Sequence, residues 1–240
     1  MPPEPHPVVA AAAAGTLPSW HVASGRRRAH MQRVAELLGR WARRMGAVEA
    51  EERRWRAAGL LHDALRGASP AELREFLKLA EGATDGRAAA AAGLAELKSE
   101  WSRFLPRSPG ELPPGAWHGP AAAVALREDG VEDWELLHAI SWHTLGSRRF
   151  GLLGGALFAA DFLDPGRDDP TGVRRALRER VPRDPTKVIP EVVRTKLDYL
   201  SRVGRSVHPQ TARFLDFLAD GWQGDVTVRA ASGPSRPANG

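Results

Sequence analysis

Apolar residues recur along this chain at helical rather than strand spacing. Met31, Val34, Leu37, Leu38, Trp41 and Met45 trace one stripe, and Gly46 supplies a stop. A second helix is predicted over about Val48–Ala64, with Trp55, Ala58 and Leu61 on one face. Ser69-Pro70-Ala71-Glu72 has the form of a helix start, with a Ser cap, a first-turn Pro and a Glu reaching back. An Ala-rich helix is expected over about 87–104, followed by a Pro/Gly-rich loop at 106–115. Helices resume at about 118–128, 133–143, 150–163, 173–180, 192–203 and 209–221. Strand-like alternation is confined to Val226-Thr227-Val228. The expectation is an all-α fold: one domain over about 17–223, with a disordered arm at 1–16 and a flexible tail at 224–240.

Composition narrows the chemistry. The 240 residues contain no cysteine, which excludes disulfides, thiolate metal sites and Cys nucleophiles and fits a cytoplasmic location. Lys and Arg number 34 against 29 Asp and Glu, a net +5. Only Lys78, Lys98, Lys187 and Lys196 are lysines, so arginine dominates the basic side. Heavy Arg, Ala and Gly usage is also the mark of a compositionally biased genome. The run Arg26-Arg27-Arg28 reads as a solvated helix face, and nucleic acid is not expected as a partner. The N-terminus lacks the basic start of a signal peptide. The longest strongly apolar run, Gly151–Ala160, falls short of the ~20 residues that span a bilayer.

Function shows where polar side chains interrupt apolar faces. His30 adjoins the stripe begun by Met31, and His62-Asp63 follows Ala57-Ala58-Gly59-Leu60-Leu61. His143 follows Ala139-Ile140-Ser141-Trp142, and Asp161 ends an apolar run that starts at Leu152. A buried carboxylate needs a cation or strong donors. Each of these residues taken alone reads as a boundary or capping position. Together with His118 they form a recurring nitrogen and oxygen donor set without sulfur, which suits a hard or borderline divalent ion. Such ions activate water for hydrolysis. His138 stands five residues before His143 and so points off that helix face. His208 precedes Pro209 and reads as a helix start. Gly151–Gly155 is not a phosphate-binding loop, because no Gly-Lys-Ser/Thr follows. Trp41, Trp55, Trp134 and Trp142 read as core, and Trp117, next to His118, is the aromatic to watch as a stacking platform.

The order H…HD…D resembles the HD-domain metal-dependent phosphohydrolases. The segments AGLLHDALRG, AWHGPAAAVALRE, AISWHTLGS, LFAADFLDPGR and LDYLSRVGRSVHPQT are similar to those of the bacterial symmetrical diadenosine tetraphosphate hydrolases of YqeK type. The resemblance runs over about 17–218 and implies an HD-domain helical bundle with a metal site in its centre. It implies one or two divalent ions, iron or manganese favoured. His30, His62, Asp63 and Asp161 would hold the first ion, and Asp63, His118 and His143 the second. Asp63 and Arg66 would be catalytic; Arg66, Arg167, Thr144 and Gly146 would meet a small nucleotide substrate. A homodimer is left open.

The chain also departs from that pattern. Leu145 replaces a threonine of the His-Thr-Thr-Gly turn, Phe162 a tyrosine and Asp164 a glutamate. Arg66 stands where a lysine is usual, and Gly154-Gly155 where charged residues are common. The segment 80–117 is longer than typical. These differences bear on which nucleotide is cleaved more than on hydrolysis. Arg148-Arg149, just after the His143 turn, are further phosphate candidates.

Overall fold

The computed structural model describes residues 5–82, 105 and 112–224. Among them are ten α-helices and no strand. The helices are α1 Pro7–Ala13, α2 Gly25–Arg44, α3 Glu49–Leu61, α4 Pro70–Gly82 and α5 His118–Glu128. They continue with α6 Trp134–Trp142, α7 Leu152–Phe162, α8 Val173–Arg180, α9 Pro185–Arg202 and α10 Pro209–Ala219. The helix expected over 87–104 and the tail expected over 224–240 lie outside the described residues, apart from Gly224; so does most of the segment 80–117.

Local chemistry accounts for most boundaries. Ser24 caps α2 by accepting from the Arg27 amide, and the chain leaves that helix at Gly46, where φ is +80°. Acidic Glu49, Glu51 and Glu52 fill the first turn of α3, the favoured end for negative charge. The expected box at the start of α4 is formed: Glu72 N donates to Ser69 Oγ at 3.3 Å and Ser69 N to Glu72 Oε2 at 2.6 Å.

Two segments differ from expectation. The arm expected to be disordered over 1–16 contains α1, whose Val9, Ala12 and Ala13 are buried against α3. His6 caps it and Pro7 occupies its first turn. The alanine run carries little hydrophobicity, but alanine is the strongest helix former, and docking supplies the rest. The second difference is α9, which starts at Pro185 rather than near Val192. Asp184 caps it, and Pro190 sits inside it, buried with Val188 and Ile189. This packing outweighs the backbone hydrogen bond that Pro190 cannot donate.

Helix α7 is the hub, touching α2, α3, α6 and α9. Every residue from Leu152 to Ala160 is buried, as expected of a helix apolar all round. Its C-terminal carbonyls receive side-chain donors: Arg174 donates to Phe162 O, and Arg178 to Leu163 O at 2.8 Å. These arginines satisfy acceptors left over at the helix end and favour its negative pole. Helices α2 and α3 make the most extensive pair. Gly59 permits their approach, since a Cβ there would lie 2.5 Å from Ala35 Cα. That contact brings the His30 and His62 rings to 5.4 Å between centroids.

Candidate metal centre

Five helices deliver the expected ligands to one buried cluster. His30 comes from α2, His62 and Asp63 from the end of α3, and His118 from the start of α5. His143 follows α6, and Asp161 lies in the last turn of α7. All are buried except Asp161, which is half-buried. Asp63 is the centre. Its Oδ1 lies 3.0 Å from His118 Nε2 and 3.5 Å from His143 Nε2. Its Oδ2 lies 3.6 Å from His62 Nε2 and 3.8 Å from His30 Nε2. His30 Nε2 faces Asp161 Oδ1 at 3.2 Å.

The second ring nitrogen of each histidine sets what the first can do. His62 Nδ1 donates to Gly59 O at 2.8 Å, and His143 Nδ1 to Ile140 O at 2.7 Å. Both therefore turn a lone-pair Nε2 into the cluster. His62 Nε2 is buried without a hydrogen-bond partner, the kind of orphan a cation would satisfy. Two sets of ligand atoms lie within 4.8 Å of one another: His30, His62 and Asp161, and His62, Asp63 and His143. The donor set is nitrogen and oxygen at mutual distances that fit a divalent ion. His118 is different. Its Nδ1 accepts from Arg66 Nη1 at 3.0 Å, so its Nε2 carries the proton, directed at Asp63 Oδ1. Ligation through that Nε2 requires the proton to move to Nδ1 and Arg66 to leave it.

Electrostatics follows from the burial. Burial lowers His62 and His118 to about 4, outweighing the attraction of Asp63, so both are neutral, as ligands must be. Burial also opposes charge on His30, but the Asp161 and Asp164 carboxylates prevail and raise it to about 9. Burial pushes Asp63 and Asp161 up, yet the surrounding histidines, with Arg167 beside Asp161, hold both well below the usual carboxylate range.

The remaining expected residues lie at the rim. Arg167 Nη2 donates to Asp161 Oδ1 at 3.0 Å. Thr144 Oγ1 donates to His143 Nε2 at 3.1 Å. Gly146 has φ +81°, and a Cβ there would lie 2.1 Å from Phe214, so turn geometry and packing alone demand glycine. Arg149 borders a surface cavity with Trp134 and His138 rather than the cluster. His138 Nε2 bonds Ser147 Oγ at 2.9 Å, and His208 caps α10. Trp117 is held by Leu112 O at 2.9 Å and faces Arg74. Leu145 fills a small apolar cluster with Leu112 and Ala116, which accounts for that departure.

Four residues of the site were missed: Arg27, Arg33, Asp164 and Lys196. Arg27, from the run read as solvated, reaches Asp63 Oδ2 at 2.7 Å. Asp164 accepts from His30 Nδ1 at 2.8 Å, from Arg33 at 2.7 and 2.8 Å, and from Gly166 N at 2.9 Å. Lys196 of α9 donates to Thr144 O at 3.2 Å and lies 3.9 Å from the Phe158 ring centroid. Burial lowers it to about 8. The helical offsets were available for two: Arg27 and Arg33 stand three residues either side of His30, on its face. Lys196 has no such signal, because α9 meets the site only through folding.

A helical bundle closed around a buried His/Asp cluster defines a class of metal-centre domain. Residues 27–166 match the HD domain family, and the chain belongs to it. It is 30% identical over 109 residues to the symmetrical bis(5'-nucleosyl)-tetraphosphatase of Bacillus subtilis (strain 168), covering 45% of this chain and 58% of that protein. It is 32% identical over 95 residues to the enzyme of the same name from Halalkalibacterium halodurans, covering 39% of this chain and 50% of that one. The chain thus spans about half the length of these curated relatives. A crystal structure from Clostridium acetobutylicum, described as a predicted HD superfamily hydrolase involved in NAD metabolism, superposes with a TM-score of 0.60 at 20% identity. The match covers 83% of this chain and 92% of that one, and shows the shared fold. No helix among the described residues is long and apolar enough to cross a membrane.

Proposed function

We propose that this protein is a metal-dependent phosphohydrolase that cleaves dinucleoside polyphosphates symmetrically, converting diadenosine tetraphosphate and water to two ADP. The observation that carries the reading is the convergence of six His and Asp side chains from five helices, ringed by Arg27, Arg66, Arg167 and Lys196. The names of the curated relatives support the substrate class. His30, His62, Asp63 and Asp161 would hold one divalent ion, iron or manganese favoured; His118 and His143 would share a second with Asp63. A bound ion supplies a water ionised near neutral pH and polarises a phosphoryl oxygen.

The chain's own groups do the rest. Asp63 and Thr144 accept hydrogen bonds from the attacking water and orient it. Arg66 and Arg167 bind the phosphates and offset charge on the departing ADP. Water oxygen bonds to the second phosphorus, and the bond from that phosphorus to the bridging oxygen of the third phosphate breaks. One proton is released to solvent.

The test is a nucleotide panel on metal-reconstituted protein, beside Asp63→Ala and His143→Ala. ADP is expected as sole product from diadenosine tetraphosphate, with both variants strongly impaired. Equal ATP and AMP would overturn the attack position. Faster turnover of a mononucleotide or cyclic dinucleotide would overturn the substrate. No bound metal and no turnover would point to a non-catalytic interaction module.

A further inference from the structure

The Asp161 side of the cluster continues outward as a surface of cations and aromatic rings. Lys196 and Tyr199 stand three apart on α9 and share one face, and Val203, the residue that ends the helix, follows at the next turn. Lys196 reaches Thr144 O at its inner end, while Tyr199 keeps 42% and Val203 48% of their surface exposed. Tyr199 is the only aromatic among the exposed large apolar side chains of the described residues. Its position is braced from within. The Arg174 guanidinium lies 4.2 Å from the Phe162 ring centroid and 5.6 Å from that of Tyr199, and donates to Phe162 O. Phe162 directly follows Asp161, whose Oδ1 holds Arg167 at 3.0 Å. A single exposed aromatic is ordinary. One braced by an arginine, and one turn along from a lysine that reaches the carbonyl of Thr144 beside His143, has a use.

We propose that Tyr199 is the platform on which one nucleobase of the substrate stacks, with Arg174 fixing the ring and Arg167 and Lys196 taking the adjoining phosphates. The assignment rests on the phosphohydrolase reading and names what recognises the nucleoside. Every base has a π-face, so stacking of this kind tolerates any base. Trp117, the aromatic first singled out for this task, is engaged with Leu112 O and Arg74 at the His118 end.

The experiment compares Tyr199→Ala, Tyr199→Phe and Tyr199→Trp in the manganese-loaded full chain. Isothermal titration uses two probes, ADP and inorganic pyrophosphate, which share phosphates but not a base. Tyr199→Ala is expected to weaken ADP roughly tenfold while leaving pyrophosphate unchanged, with the Phe and Trp variants restoring ADP binding. With diadenosine tetraphosphate, KM rises in Tyr199→Ala and kcat does not move. Equal losses for both probes would overturn the proposal, because Tyr199 would then act on the phosphate pocket. So would unchanged ADP binding in Tyr199→Ala. Base-dependent ADP binding without turnover of any nucleotide would retain the platform and overturn the hydrolase reading instead.

Discussion

Asp164→Asn isolates the device that holds His30. The Asp164 carboxylate receives four donors, two on each oxygen: Arg33 Nε and Gly166 N on Oδ1, Arg33 Nη2 and His30 Nδ1 on Oδ2. An amide of the same shape replaces one oxygen with an NH2 group. Whichever way it is turned, two N–H donors then face another donor. A buried donor left unsatisfied costs about 1–3 kcal/mol. Arg33 is 37% exposed and turns partly to water, so the expected loss of stability is about 2–4 kcal/mol rather than the full sum. The effect on metal binding is separate. A carboxylate on the far nitrogen of a ligating histidine fixes its orientation and raises its basicity, and removing such a partner costs about 10–100-fold in affinity. Titration of chelator-stripped protein with manganese reads this directly, and urea unfolding reads the stability. A folded Asp164→Asn that binds manganese like the wild type would refute the reasoning.

Other outcomes follow from the same geometry. Arg27→Met removes a cation 2.7 Å from Asp63 Oδ2, so manganese affinity is expected to rise as KM for a polyphosphate rises; a fall in manganese affinity would make Arg27 only a brace for Asp63. In metal-free protein, burial lowers His62 and His118 to about 4 from the usual 6.5, so the unfolded chain binds protons first and stability falls as pH drops from 6.5 toward 4. His30 acts oppositely: raised to about 9, it stabilises fully below 6.5 and loses that contribution as pH climbs through 9. Urea midpoints measured across this range in chelator should show a maximum between the two losses. Gly59→Ala places a methyl 2.5 Å from Ala35 Cα, a backbone atom that cannot step aside. About 1–3 kcal/mol of destabilisation is expected by thermal unfolding, with weaker manganese binding as His62 moves from His30.

The helices and the six candidate ligands were legible in the chain because both rest on local signals. Apolar spacing, caps and the Ser69 box specify helices within a few residues. A histidine or aspartate on an apolar face stands out because burying it unpartnered is costly. Where the reading failed, a nonlocal gain outweighed a local one. The alanines of α1 are too weakly apolar to announce themselves and become ordered by docking on α3. The helix expected from Val192 starts at Pro185, because packing in α9 tolerates a proline at Pro190.

Residue pattern and composition were enough for an all-α chain, free of thiols, with a nitrogen and oxygen donor set that suits a divalent ion. Which charges face that set depends on how the helices pack. Arg27 and Arg28 are neighbours, yet one bonds Asp63 and the other turns to His21, because a step of about 100° along a helix separates cluster from solvent. Lys196 reaches the carbonyl of Thr144 from more than thirty residues past Asp161. A partner's identity across such a span is set by helix packing, which no spacing in the chain records.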